Sequence, residues 1–171
     1  AALNDPAVLA RCIEGVETLS AEGENRFAGT LNARVGPVKA RFTGHVELTE
    51  LDPPNRYVLV GEGKGGVAGF AKGSAEVTLA DAEAGCTTLS YVARSQVGGK
   101  LAQLGTRLIE GTARAYAENF FTAFKAEVEA PARDLLAGDR DVVVLQRRHP
   151  AAQRQAVGVV VLGIPLELAG G

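Results

Sequence analysis

Between Val16 and Val97 the apolar residues recur at every second position, in runs closed by turn-forming residues. A helix buries positions three and four apart, whereas a period of two places a whole apolar set on one face of a strand. Phe27, Gly29, Leu31, Ala33 and Val35 alternate with Ala28, Thr30, Asn32 and Arg34, and Gly36-Pro37 makes a turn. Val38, Ala40, Phe42, Gly44, Val46 and Leu48 then face one way, with Lys39, Arg41, Thr43, His45, Glu47 and Thr49 facing the other. Asp52-Pro53-Pro54-Asn55 turns the chain again. Further strands are predicted at about 56–62, 70–79 and 87–97, with a turn over 81–85. Hairpins this closely spaced make one continuous antiparallel sheet with one wet face.

Helical spacing brackets the sheet. Asp5 can cap a short helix with Pro6 in its first turn, Val8, Leu9, Cys12 and Ile13 on one side, and Gly15 at its end. Gly98-Gly99 breaks the last strand, and at least one of the two is expected to need φ > 0 where the chain turns into a long helix. That helix is predicted over 100–129, with Leu101, Leu104, Leu108, Thr112, Tyr116, Phe120 and Phe124 on one stripe, Lys125 largely off it, and Pro131 as its stop. The fold class is α+β.

Composition removes several functions. Lys plus Arg number 18 and Asp plus Glu 20 in 171 residues, a net charge of -2, which does not suit a nucleic-acid partner. Cys12 and Cys86 have no CxxC partner and read as buried thiols of a reducing compartment. His45 falls on the polar strand face, His149 lies in the tail, and Asp81 and Glu83 share a turn, so no cluster has metal-ligand spacing. No run reaches the ~18 apolar residues of a spanning helix.

The inward strand positions carry the functional signal. They hold Gly29, Ala33, Ala40, Gly44, Gly61, Gly63, Ala71, Gly73, Ala75 and Ala93, with few bulky residues between. Protein interiors are close-packed, so either the helix approaches closely or the space is a cavity. A leucine at Gly44 or Ala75 is expected to fill such a cavity. The glycine-rich stretch 61–69 with Lys64 reads as a mobile hairpin tip over its mouth. Tyr57 and Tyr91 each offer a hydroxyl within an apolar lining.

Three stretches carry a family resemblance: Asp52-Pro53-Pro54-Asn55-Arg56-Tyr57 leading to Gly61-Glu62-Gly63; Gly69-Phe70-Ala71-Lys72-Gly73; and Val97-Gly98-Gly99-Lys100-Leu101-Ala102-Gln103-Leu104-Gly105 followed by Arg107-Leu108-Ile109. Together with Leu3-Asn4-Asp5-Pro6 they resemble the carbon monoxide dehydrogenase G-subunit family of the START-like, helix-grip superfamily, over residues 1 to about 129. The resemblance implies a curved antiparallel sheet gripping a long C-terminal helix around an apolar cavity. It implies an accessory, non-catalytic protein of a molybdenum hydroxylase of the CO dehydrogenase type, binding a quinone or other apolar ligand non-covalently and helping the enzyme associate with the membrane. Its partners would be the hydroxylase subunits, and its location cytoplasmic, peripheral on the inner face of the membrane. The expected ligand-binding residues are Phe27, Leu31, Phe42, Val46, Tyr57, Leu59, Phe70, Tyr91, Leu104, Leu108 and Phe120. Helix-grip domains also open with a strand before the first short helix; either that strand precedes Ala1 or it is absent, and its absence predicts unpaired edges on the neighbouring strands. Two alternatives stay open: a docking or assembly factor with a filled core, and a small hydrolase or cyclase of the same superfamily.

The domain is predicted over 1–130, followed by a variable tail over 131–171. The tail's apolar run, from Val157 to Ile164, shows neither clean alternation nor a helical period. Arg147, Arg148 and Arg154 precede it, a pattern that suits peripheral membrane contact through 147–166; the alternative is an extra strand or a tail packed on the domain.

Overall fold

Asp5 caps the first helix by accepting the backbone N–H of Ala7 at 2.8 Å. In the computed structural model, which describes residues 2–82, 86–133 and 155–162, that helix, α1, runs Pro6–Cys12. It ends before Gly15, because Ile13 is already extended; Gly15, at φ 80°, lies in the turn that follows. Strands β1 (Val16–Ala21), β2 (Arg26–Val35), β3 (Val38–Asp52), β4 (Arg56–Lys64), β5 (Phe70–Ala82) and β6 (Cys86–Gly98) then form an antiparallel meander in chain order. The alternation holds along β2 and β3, whose register is unbroken from Arg26↔Glu47 to Val35↔Val38. The β3–β4 turn at 52–55 is irregular, with Glu50 at φ 49° and a register shift between Thr49 and Asp52. Of the predicted turn at 81–85, residues 83–85 lie outside the described residues.

The long helix differs from its prediction. It is two helices, α2 (Lys100–Gln103) and α3 (Thr106–Arg133), separated at Gly105, which adopts φ 88°. The break resets the stripe: Leu101 and Ile109 are buried, while Leu108 is exposed. Helix α3 also continues through Pro131 to Arg133. Lys125 is buried rather than off the stripe, with Glu129 at 3.8 Å; α3 contacts both α1 and a further strand, so more than one stripe of it is covered.

That further strand, β7 (Gln155–Leu162), comes from the tail. It pairs antiparallel with β6, from Thr87↔Leu162 to Arg94↔Gln155. The edge of β6 is thus covered along 87–94, and an apolar run without alternation is a sheet strand. The tail residues 134–154 and 163–171, including the three arginines and His149, lie outside the described residues.

The inner face of the sheet grades from bulky to small along its register. Leu79↔Leu89 and the row Tyr57↔Val77↔Tyr91 are large; Gly61↔Gly73↔Ser95 and Gly63↔Ala71↔Val97 are small. The core gathers at the large end, where Phe27, Leu48, Tyr57, Val77, Leu79 and Leu89 surround Phe124 of α3. Phe120 stacks on Phe124 at 5.8 Å between centroids, and Tyr91 on Phe121 at 4.9 Å.

Candidate functional site: an apolar cavity between sheet and helix

At the small end the helix and the sheet do not meet, and a cavity of about 480 Å³ separates them. Small-molecule sites span roughly 300–1,000 Å³. Its floor is Gly29, Ala33, Gly44, Gly61, Gly63, Ala71 and Gly73, seven of the ten small inward positions; Ala40, Ala75 and Ala93 are not part of it. Leu101, Ile109, Thr112, Ala113 and Tyr116 close it from the helix side, and Ile13, Val16 and Leu19 from the α1–β1 side. Val46 projects from the inward face of β3 yet keeps 37% of its surface exposed, because it faces open space rather than a packed neighbour.

Of the expected lining residues, Phe27, Leu31, Phe42 and Val46 border this cavity. The others lie elsewhere, each for a reason visible in the register. Tyr57, Leu59, Tyr91 and Phe120 sit in or against the packed core at the large end. Phe70 has the outward parity of β5 and is half-exposed, and Leu108 is exposed beyond the Gly105 break. Leu104 caps α2 without reaching the lining. Burial raises the phenol pKa of both Tyr57 and Tyr91, so both stay neutral in the core. The hydroxyl at the cavity is instead that of Tyr116, already on the predicted helix stripe, which accepts the Arg34 backbone N–H at 3.3 Å. The remaining polar groups are few: Thr18, Thr30, Ser95 and Thr112, the last donating to the Leu108 carbonyl at 2.9 Å. His45, Glu62 and Lys72 occupy the strand positions between inward glycines. Strand parity sends their side chains to the outer face, where they line a shallow groove, so they border the cavity through the thinned sheet. No charged side chain is aimed by parity into the space.

Close backbone contacts require glycine at several places around it, Gly29 against Thr18 and Gly73 against Arg94 among them. A Cβ on Gly44 would lie 2.0 Å from the carbonyl oxygen of Glu62 and 2.7 Å from Cα of Gly63. Leucine at Gly44 therefore forces β3 and β4 apart instead of filling the cavity, and Ala75 lies outside it. Gly99 makes the expected turn from β6 into α2 at φ 70°, and its Cβ would stand 2.6 Å from Cα of Gly69. The tip of the β4–β5 hairpin is thereby pressed against the helix entry. It is a tight 3-10 turn over Gly66–Ala68, closed by the Gly65 N–H donating to the Gly69 carbonyl at 2.8 Å, with Ala68 buried. Gly61 and Gly63 belong to β4 and not to this tip.

Neither Cys12 nor Cys86 is in a disulfide; burial raises the pKa of Cys12, and Cys86 is half-buried. Among the described residues no group of His, Cys, Asp and Glu is arranged to hold a metal ion. Among them, too, no helix is long and apolar enough to cross a membrane.

An antiparallel sheet closed over a C-terminal helix, with an open apolar space between them, defines a protein of the helix-grip class. A solved structure, that of a conserved protein from Geobacillus kaustophilus, shares the fold with a TM-score of 0.69 and 33% identity, over 73% of this chain and 82% of that one. The family model of the carbon monoxide dehydrogenase G-subunit, CoxG, matches residues 1–129, and the chain belongs to that family. No curated protein matches it. Membership implies an accessory role beside CO dehydrogenase subunits.

Proposed function

We infer that this protein serves a CO dehydrogenase-type molybdenum hydroxylase by holding an apolar ligand, a quinone or a lipid-like molecule, in the sheet–helix cavity, and by helping the enzyme associate with the membrane. The observation that carries the ligand reading is the unfilled, glycine-floored end of the sheet beside a fully packed end. A chain selected only for stability gains from filling such space, since each buried methylene contributes about 0.8 kcal/mol. A cavity with a handful of hydroxyls and no inward charge suits a neutral ligand of low polarity.

The test is an organic-solvent extract of protein purified from its native host, analysed by mass spectrometry. A quinone or lipid at close to one equivalent is expected. An extract free of such molecules, from protein that co-purifies tightly with hydroxylase subunits, would leave a docking factor without a ligand.

A further inference from the structure

We propose that the end of the molecule where the β4–β5 tip, α2 and the first turn of α3 meet is the surface that lies against an anionic lipid bilayer. Three observations converge. First, Val67 at the hairpin tip is 87% exposed, far more than any other large apolar residue of the described chain, and Leu108 is 39% exposed. Leu108 reaches the β2–β3 turn, its Cδ2 standing 2.7 Å from the Cβ position of Gly36. The two residues mark the ends of one rim, joined by α2, which contacts the hairpin tip.

Second, the rim is basic. Lys39, Lys64, Lys100 and Arg107 are exposed along it, and none has an ion pair among the described residues. Glu62, two residues from Lys64, and Glu110, three from Arg107, are the exposed carboxylates nearest these cations in sequence. The opposite end has the reverse balance: Arg26 and Arg56 are paired with Glu22, Glu50 and Glu76, leaving exposed Glu24, Asp52 and Asp81 without an ion pair among the described residues. Four exposed cations without an ion pair thus gather at one end, and three exposed carboxylates without one at the other. Such a molecule approaches an anionic surface in one orientation.

Third, this rim belongs to the cavity. Leu101 of α2 and Ile109, next to Leu108, are cavity walls, and Phe42 underlies the hairpin tip, its ring 2.5 Å from the Cβ position of Gly65. An exposed aliphatic knob flanked by lysines is suited to the headgroup boundary, where apolar atoms enter the lipid and cations stay among the phosphates. Placed so, the cavity's walls adjoin the bilayer from which an apolar ligand would come. By contrast, residues 155–162 of the tail are committed to the sheet as β7.

The proposal rests on the membrane role inferred for this protein, and its test separates the two. The full chain is sedimented with vesicles of phosphatidylcholine containing about one third phosphatidylglycerol, and with phosphatidylcholine alone. The K64E/K100E variant is compared with R94E/R114E, which has the same net charge but is altered away from the rim; melting curves confirm that both fold. Each basic residue near an anionic surface multiplies binding about fivefold, so K64E/K100E should bind at least ~20-fold more weakly, and R94E/R114E close to wild type. Val67→Asp should lose about tenfold, and raised salt should erase the difference between the paired variants. Equal losses in the two double variants overturn the rim while leaving a membrane role intact. Failure of the wild type to sediment with either vesicle overturns both readings. Vesicle binding that survives K64E/K100E while association with the hydroxylase subunits is lost makes the rim a protein-docking surface and overturns the proposal.

Discussion

One sheet and one helix build two regions with opposite packing. At the end nearest the β3–β4 turn, Phe124 and Leu89 are completely buried, and aromatic rings of α3 interlock with Tyr57 and Tyr91. At the other end the same strands present Gly61, Gly63, Ala71 and Gly73, and inward-facing Val46 remains 37% exposed. The backbone pairing is equally regular in both, since β4 and β5 stay in register from Arg56↔Thr78 to Lys64↔Phe70. The contrast is therefore made by side-chain volume alone. Stability is concentrated in one half, which frees the other from having to pack.

The most direct way to break this comparison is a matched pair of substitutions, one in each half. Phe124→Ala removes a ring with no exposed surface and should cost about 3–5 kcal/mol in chemical denaturation. Ala113→Leu adds volume on the cavity wall at a site with good helix propensity, and should cost less than ~1 kcal/mol while displacing bound ligand. If Ala113→Leu instead costs the ~1–3 kcal/mol of an overpacked core, the space is not open and the two halves are alike.

A smaller effect tests how the cavity end is closed. Gly99→Ala meets two obstacles at once, a φ of 70° and a Cβ placed 2.6 Å from Cα of Gly69. Strain of this kind costs on the order of 1–3 kcal/mol. Gly111→Ala, where nothing lies within 4 Å of the added Cβ and the residue sits inside α3, should be neutral or stabilising. Thermal melting of both decides it. Equal melting temperatures would mean that the hairpin tip can leave the helix entry freely, and that the rim is not a fixed surface.

The contrast between the halves was only half legible in the sequence. Alternation gave the strands and their inward parity, because a side-chain period of two survives in sequence whatever the sheet packs against. Parity identifies a face, however, and not a position along it. Tyr57 and Leu59 share their parity with Gly61 and Gly63, and only the register, which sets Tyr57 beside Val77 and Tyr91, assigns them to the packed end. The helix stripe misled for a related reason. Leu101, Leu104 and Leu108 fit a 3.6 period across Gly105, and an isolated glycine inside such a pattern is tolerated at a cost, so it does not by itself announce a break. β7 stayed one of two readings of the tail because a strand without alternation reads as an ambiguous apolar run. Its partner on β6 lies some seventy residues away, and nothing local announces it.

The subtlest expected effect lies in the packed half and is read by pH. Tyr57 is 7% exposed, and burial alone raises its phenol pKa. A buried phenol resists ionisation, while the same group in the unfolded chain loses its proton near pH 10. Below that pH both states keep the proton, and Tyr57 contributes no pH dependence. Above it the unfolded state binds fewer protons than the folded one, so stability falls as pH rises, by up to about 1.4 kcal/mol per unit until the folded phenol itself ionises. Tyr57→Phe removes this limb, so its stability between about pH 10 and 11.5 should decline less steeply than that of the wild type, with the curves parallel near neutrality. If the stability of Tyr57→Phe falls as steeply as that of the wild type over this range, Tyr57 is not shielded from water, and the division of the sheet into a dry half and an open half fails at a buried hydroxyl of its core.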